Sequence, residues 1–166
     1  MSKPKFLLDA NVLIEASRRY YSFDFGTKFW DFLKAKAQEG LVGSIDKVLN
    51  ELKEGKDPLK EWAEKEFKPF FYSTQSDQVF QEYQNIVKLV QEDDQYSPSA
   101  KEDFMKDDNA DPWLIAYAKC YSSTIVTQEV YRPNAKSKVP IPNVCVKLNV
   151  KWIDLFTMLK LLRFKL

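Results

Sequence analysis

KFLLD at residues 5–9 is a short apolar run that closes on a carboxylate, and it is followed at once by ANVLIEASRRY at 10–20, where apolar side chains recur at helical spacing. The pair reads as a strand running into a helix. The same order returns near the other end of the chain. DPWLIAYAKCYS (111–122) reads as a helix, STIVT (123–127) as a strand, PNVCVKLNV (142–150) as a helix, KWI (151–153) as a strand and DLFTMLKLLRF (154–164) as a last helix. Strands that alternate with helices in this way predict a parallel sheet.

The middle of the chain is mostly helical. FWDFLKAKAQ (29–38), KVLNELKEG (47–55), PLKEWAEKEF (58–67) and SDQVFQEYQNIVKLVQ (76–91) carry amphipathic spacing, and KPFFYS (68–73) is the best further strand. Asp57-Pro58, Ser97-Pro98 and Asp111-Pro112 each set a capping oxygen ahead of a proline suited to the first helical position. Gly40 and Gly55 fit as helix stops.

A chain of 166 residues is one domain's worth of sequence, and residues 1–166 are expected to form a single domain with a core that needs no disulfide. With 45% hydrophobic and 14% aromatic residues it is globular in composition rather than disordered. The most informative count is a zero. The chain has no histidine, which excludes Ser-His-Asp and Cys-His nucleophiles, paired-imidazole ribonuclease chemistry, HExxH proteases and His-ligated zinc. Cys120 and Cys145 have neither redox-pair nor zinc-finger spacing and read as buried small hydrophobes in a reducing compartment. Four glycines in all leave no Gly-rich phosphate loop. No leader segment and no run of about 18 apolar residues is present, so a cytoplasmic, membrane-free protein is expected.

Net charge is +1, but it is segregated: residues 92–111 carry a net of −6 and residues 132–166 a net of +7. An acidic centre beside a basic rim suits a polyanionic partner. In a parallel sheet the functional crevice lies beyond the carboxyl ends of the strands. Asp9 ends the first strand, Asp111 opens the helix before STIVT, Glu129 follows that strand, and Glu51 lies on a helix expected to begin near Ser44. Gathered carboxylates repel one another unless a divalent cation neutralises them, and Mg²⁺ or Mn²⁺ suits such oxygen donors. Each acid also has a plainer reading, as a helix cap for Asp9 and Asp111 and as a solvated side chain for Glu51 and Glu129.

FLLDANVLIEA, DPWLIAYA and TIVTQE, in this order and spacing, resemble the PIN-domain nucleases, the family that includes the VapC-type toxins of toxin–antitoxin pairs. YYSFDFGTKFWDFL, GSIDKVLNELKEG, NAKSKVPIPNVC and WIDLFTML extend the likeness over nearly the whole chain, toward a particular PIN-like subfamily. The resemblance implies a three-layer α/β/α sandwich with a central parallel sheet. It also implies a Mg²⁺- or Mn²⁺-dependent endoribonuclease, with an RNA substrate, an antitoxin partner and a homodimer. Asp9, Glu51 and Asp111 match the family's first three acids. Thr127-Gln128-Glu129 stands where the family usually has T-x-D, so the fourth acid is Glu129. Asn11 and Thr127 match small polar residues that support the site, and Asp107 and Asp108 are alternatives for an auxiliary acid.

Basic residues must steer the strand toward such a pocket, and Arg132, Lys136 and Lys138 are the candidates. Tyr20, Tyr21, Phe23 and Phe25 are either core or a base-stacking surface, and Phe29, Trp30 and Phe32 offer an aromatic dimer face. Two other readings stand beside the nuclease. A haloacid-dehalogenase-type phosphatase needs D-x-D, whereas Asn11 fills the third position here. A catalytically inactive scaffold or binding module of the same fold is compatible with Glu at 129.

Overall fold

The computed structural model describes residues 3–55 and 57–166. In chain order the elements are β1 (Phe6–Leu8), α1 (Ala10–Glu15), α2 (Thr27–Gln38), β2 (Val42–Ile45), α3 (Asp46–Lys53), α4 (Pro58–Lys65), β3 (Phe71–Tyr72), α5 (Asp77–Gln91), α6 (Pro98–Phe104), α7 (Asp111–Tyr121), β4 (Thr124–Val126), α8 (Ile141–Leu148), β5 (Trp152–Ile153) and α9 (Leu155–Leu161). After α1 the chain makes one wider helical turn over Ala16–Tyr20.

The strands form one sheet in the order β3-β2-β1-β4-β5, and every pairing is parallel. Phe6 lies opposite Val42 on one side and Thr124 on the other. All residues of β1 and β2 are buried, as expected of a parallel sheet covered on both faces. The architecture is the expected α/β/α sandwich.

One strand was illegible. Residues 42–45 form β2, and the helix expected from Ser44 starts at Asp46. Gly43 interrupts the apolar run, yet the packing demands it, because a Cβ there would meet the Tyr72 ring at 2.6 Å and the Phe70 carbonyl oxygen at 3.2 Å. Ser44 is buried and donates its hydroxyl to the Leu8 carbonyl at 2.6 Å, tying β2 to the end of β1.

The expected caps divide. Ser97 accepts from the Ala100 amide at 3.1 Å, whereas Asp57 precedes Pro58 without a side-chain cap bond. Asp111 is not a cap. Ala110 holds the cap position and Asp111 is the first residue of α7, its own N–H donating to Asn109 Oδ1 at 2.9 Å.

The aromatic groups are mostly core. Phe29 and Trp30 are buried, so they are not a dimer face, and Phe32 is half-buried against Phe164. Tyr21 stacks on Phe29 and Phe23 on Trp30, each at 4.3 Å, and the Trp30 indole N–H donates to the Tyr21 carbonyl at 2.7 Å. These rings are spent on one another, leaving Phe25, 93% exposed, and Tyr20 facing outward. Both cysteines are free; burial pushes the Cys145 thiol up to about 12, so it is an inert core residue. Among the described residues no helix is long and apolar enough to cross a membrane.

Candidate metal centre

The strand order reverses between β1 and β4. Chain progression from β1 moves outward through β2 and β3 on one side, and β4 opens the other. Loops leaving the carboxyl ends of strands at such a point diverge and leave a crevice. Asp9 follows β1 directly, and Thr127, Gln128 and Glu129 follow β4, so the two loops flank that crevice. The Asp9 amide donates to the Val126 carbonyl at 3.0 Å, and the Thr127 amide to the Ile153 carbonyl at 2.9 Å, which extends the sheet's regularity right up to the acids.

Asp9 is 2% exposed. It sits ahead of α1 but makes no side-chain cap bond, so capping does not account for it. Its Oδ2 accepts from the Thr127 hydroxyl at 3.0 Å, and the same oxygen of Thr127 accepts from the Glu129 amide at 3.1 Å. Thr127 is buried and links the first acid to the loop that carries the fourth. Burial, then the charge of Glu129, and less strongly that of Glu51, push the Asp9 carboxyl up to about 7 against the easing effect of Thr127 and the Asn11 amide. Asp111 is also raised well above the usual carboxylate range, first by burial and then by the charges of Asp9, Glu129 and Glu51.

Glu51 is not a solvated helix residue. It reaches from α3 to the start of α7, where Oε1 accepts from the Ala110 amide at 2.8 Å. Burial raises its carboxyl, with the Ala110 bond opposing. Glu129 does the same for α8: Oε1 accepts from the Ile141 amide at 3.0 Å. Its Oε2 is buried with no hydrogen-bond donor among the described residues, and the Lys138 ammonium lies 3.5 Å away. The four acids therefore lie within one another's field, at the starts of three helices, at one edge of the sheet.

The donor set is all oxygen, the charge is in excess, and an unpartnered buried carboxylate oxygen belongs to it, so the residues fit a hard divalent cation. No three acidic or cysteine side chains among the described residues already close on one point at coordinating distance. Asp9, Glu51 and Glu129 each turn one oxygen to a protein donor, on Thr127, Ala110 and Ile141, and keep the other.

The remaining candidates fall in two places. Asn11, Arg132, Lys136 and Lys138 line a groove of about 870 Å³ that opens beside Glu129. Asp107 and Asp108 are exposed and border, together with Glu51 itself, a second pocket that Lys47 and Glu54 also line; the charge of Asp108 adds to what raises the Glu51 carboxyl.

Sequence reasoning missed the residues that fix the basic loop. Asn143 is buried and holds both backbone groups of Arg132, accepting from its amide at 2.9 Å and donating to its carbonyl at 2.7 Å. It also donates to the Tyr96 hydroxyl at 3.1 Å. Gln95 donates to the Ala135 carbonyl at 2.8 Å, and the Ser97 amide to the Lys136 carbonyl at 2.9 Å. These bonds join segments far apart in the chain, and an asparagine inside an apolar helix was the single local hint.

The chain belongs to the family described as "Domain of unknown function (DUF4411)", which matches residues 6–166. Two solved structures share the fold. VapBC2 from Rickettsia felis, bound to a DNA fragment from its promoter, is 15% identical over 90% of this chain and 97% of that chain, with a TM-score of 0.52. FitAcB from Neisseria gonorrhoeae is 18% identical over 89% and 96%, with a TM-score of 0.50. The fold is thus PIN-like, of the VapC type. No protein of curated function matches the chain in sequence.

Proposed function

We propose that this protein is a Mg²⁺- or Mn²⁺-dependent endoribonuclease of the VapC type, with Asp9, Glu51, Asp111 and Glu129 as the metal-holding acids. The observation that carries the reading is the pair of buried carboxylates, Asp9 and Asp111, each raised by burial and by the charges of Glu129 and Glu51, and Asp111 by that of Asp9 as well, at the switch point of a parallel sheet. Burying mutually repelling acids is costly, and a cation that neutralises them gives the arrangement a purpose. A divalent cation bound there supplies Lewis acidity, which lowers the pKa of an attacking water and offsets charge on the leaving oxygen.

The chain's own residues do the rest. Thr127 orients Asp9 through its hydroxyl and fixes the Glu129 backbone. Glu51 and Glu129 are each held at one oxygen by a helix start, and their second oxygens are the ones a cation would take. Arg132, Lys136 and Lys138 offer the phosphodiester backbone a positive wall along the groove. With no imidazole available, water attack leaves 5′-phosphate and 3′-hydroxyl ends.

Cleavage of single-stranded RNA by the purified chain in Mn²⁺, abolished by Asp9→Asn or Asp111→Asn, tests the reading. Products ending in 2′,3′-cyclic phosphate would refute the mechanism, and absence of Mn²⁺ uptake in calorimetry would favour the inactive scaffold. The toxin role extends this reading, with an antitoxin as partner and a homodimer as the working form. Expression is then expected to arrest growth, with relief by either substitution.

A further inference from the structure

Among the described residues Lys138 is the cation nearest the unpartnered oxygen of Glu129, at 3.5 Å, yet it makes no hydrogen bond there. Its charge also eases Asp111. The side chain is 62% exposed, while its backbone is fixed on both sides: the Lys136 carbonyl is held by Ser97, Val139 is buried, and the Ile141 amide is held by Glu129 itself. A rooted base with a free arm places an ammonium at the mouth of the carboxylate cluster without locking it in. Lys138 also borders both the 870 Å³ groove and the smaller pocket that contains Asp111, so its arm spans the partition between them.

We infer that Lys138 is a tethered counter-ion of the carboxylate cluster: its ammonium partners Glu129 when no divalent ion is bound and is displaced when one arrives. This rests on the metal-holding role proposed above. An internal cation must then compete with the external one, so removing it tightens metal binding even though a lysine beside an active site is ordinarily counted as an asset.

Titration of chelator-treated protein with MnCl₂ by calorimetry tests the inference. Lys138→Gln is expected to bind Mn²⁺ roughly two- to fivefold more tightly than wild type, the range set by a partly exposed ion pair. Lys138→Arg should stay close to wild type. Lys136→Gln, which removes the same charge from the same loop without an ion pair to the cluster, should change Mn²⁺ affinity less than twofold. Equal tightening by both glutamine variants would reduce the effect to general charge and overturn the inference, as would weaker binding by Lys138→Gln. In chelator, Lys138→Gln is also expected to melt about 2 °C below Lys136→Gln, since Glu129 loses its nearest cation. If no form takes up Mn²⁺, the nuclease reading fails, and that melting comparison by itself decides whether Lys138 is the cluster's counter-ion.

Discussion

Asp9→Asn should stabilise the metal-free protein while abolishing its chemistry, and it should do so only above mildly acidic pH. The Asp9 carboxyl takes its proton at about 7 in the folded chain, against an ordinary value of 3.8. Between those values the folded chain binds more protons than the unfolded chain, so Asp9 makes stability fall as pH rises from about 4 to about 7, after which its effect is constant. At 1.36 kcal/mol per unit the full cost is up to about 4 kcal/mol. Asparagine carries no charge in either state and still accepts the Thr127 hydroxyl. In a domain of this size each kcal/mol moves the melting temperature by about 2–4 °C. Asp9→Asn should therefore melt up to about 8–16 °C above wild type near pH 8.5 in chelator, and the gap should close toward pH 4.

Melting curves by circular dichroism across that range measure the difference directly, and the difference is the right quantity. Other carboxylates, such as Asp93 held low by its bond to Lys147, add a pH slope of the opposite sign to both proteins alike. Excess Mg²⁺ at the upper pH should then raise wild type and leave Asp9→Asn nearly unmoved, because only the folded wild type binds it well. A wild type whose stability relative to Asp9→Asn is flat or rises with pH would refute the claim that Asp9 is a repelled buried acid.

Thr127→Val keeps shape but takes the donor from Asp9 and the acceptor from the Glu129 amide; Mn²⁺ affinity should drop about 10- to 100-fold in calorimetry, as for other residues that orient metal ligands. Asn143→Ala removes three hydrogen bonds, so urea denaturation should show a loss of about 2–3 kcal/mol and RNA affinity should weaken while Mn²⁺ affinity holds. RNA affinity measured against salt should lose about 0.7 from its logarithmic slope for each of Arg132→Gln and Lys136→Gln. Phe29→Ala should cost about 3–5 kcal/mol in denaturation without changing the subunit count in light scattering, because the ring is core and not a dimer surface.

The terminal parts of the fold were legible in the sequence because their signals are local. A strand closing on Asp9, a helix with proline in its first turn and a short apolar strand before Thr127 each declare themselves within a dozen residues. β2 was not legible, because the reason for Gly43 is the Tyr72 ring, which arrives from a strand far along the chain. Asp111 has the sequence pattern of a cap but does not serve as one for the same reason: the cap position depends on whether the chain turns at Ala110 or Asp111, and Asn109 and Glu51 settle it by taking the amides of Asp111 and Ala110. Residue type and order pointed to all four acids, but that Glu51 touches the start of α7 is a contact across 59 residues. No periodicity encodes it.

That contact explains why the acids can be buried at all. In a sheet whose strands all run one way, each helix that follows a strand begins at the carboxyl edge, and the helix that precedes β4 must begin there too in order to return. α1, α7 and α8 accordingly start beside Asp9, Glu51 with Asp111, and Glu129. Each start presents unpaired amides and the positive end of its dipole, which favour a nearby negative charge. The amides of Ala110 and Ile141 take one oxygen each from Glu51 and Glu129, and the hydroxyl of Thr127 takes one from Asp9. These donors hold the carboxylates in place but offset only part of their charge, as the raised carboxyls of Asp9 and Asp111 show. Glutamate at 129 gains a function from its extra methylene in this setting, since its Oε1 reaches the Ile141 amide and steadies the root of the basic loop. The departure from aspartate thus couples the acid to the loop that carries Lys138. Glu129→Asp is expected to shorten that reach, free the start of α8 and lower melting temperature by about 2–4 °C, whereas a substitution at a degenerate, unused position would leave it unchanged.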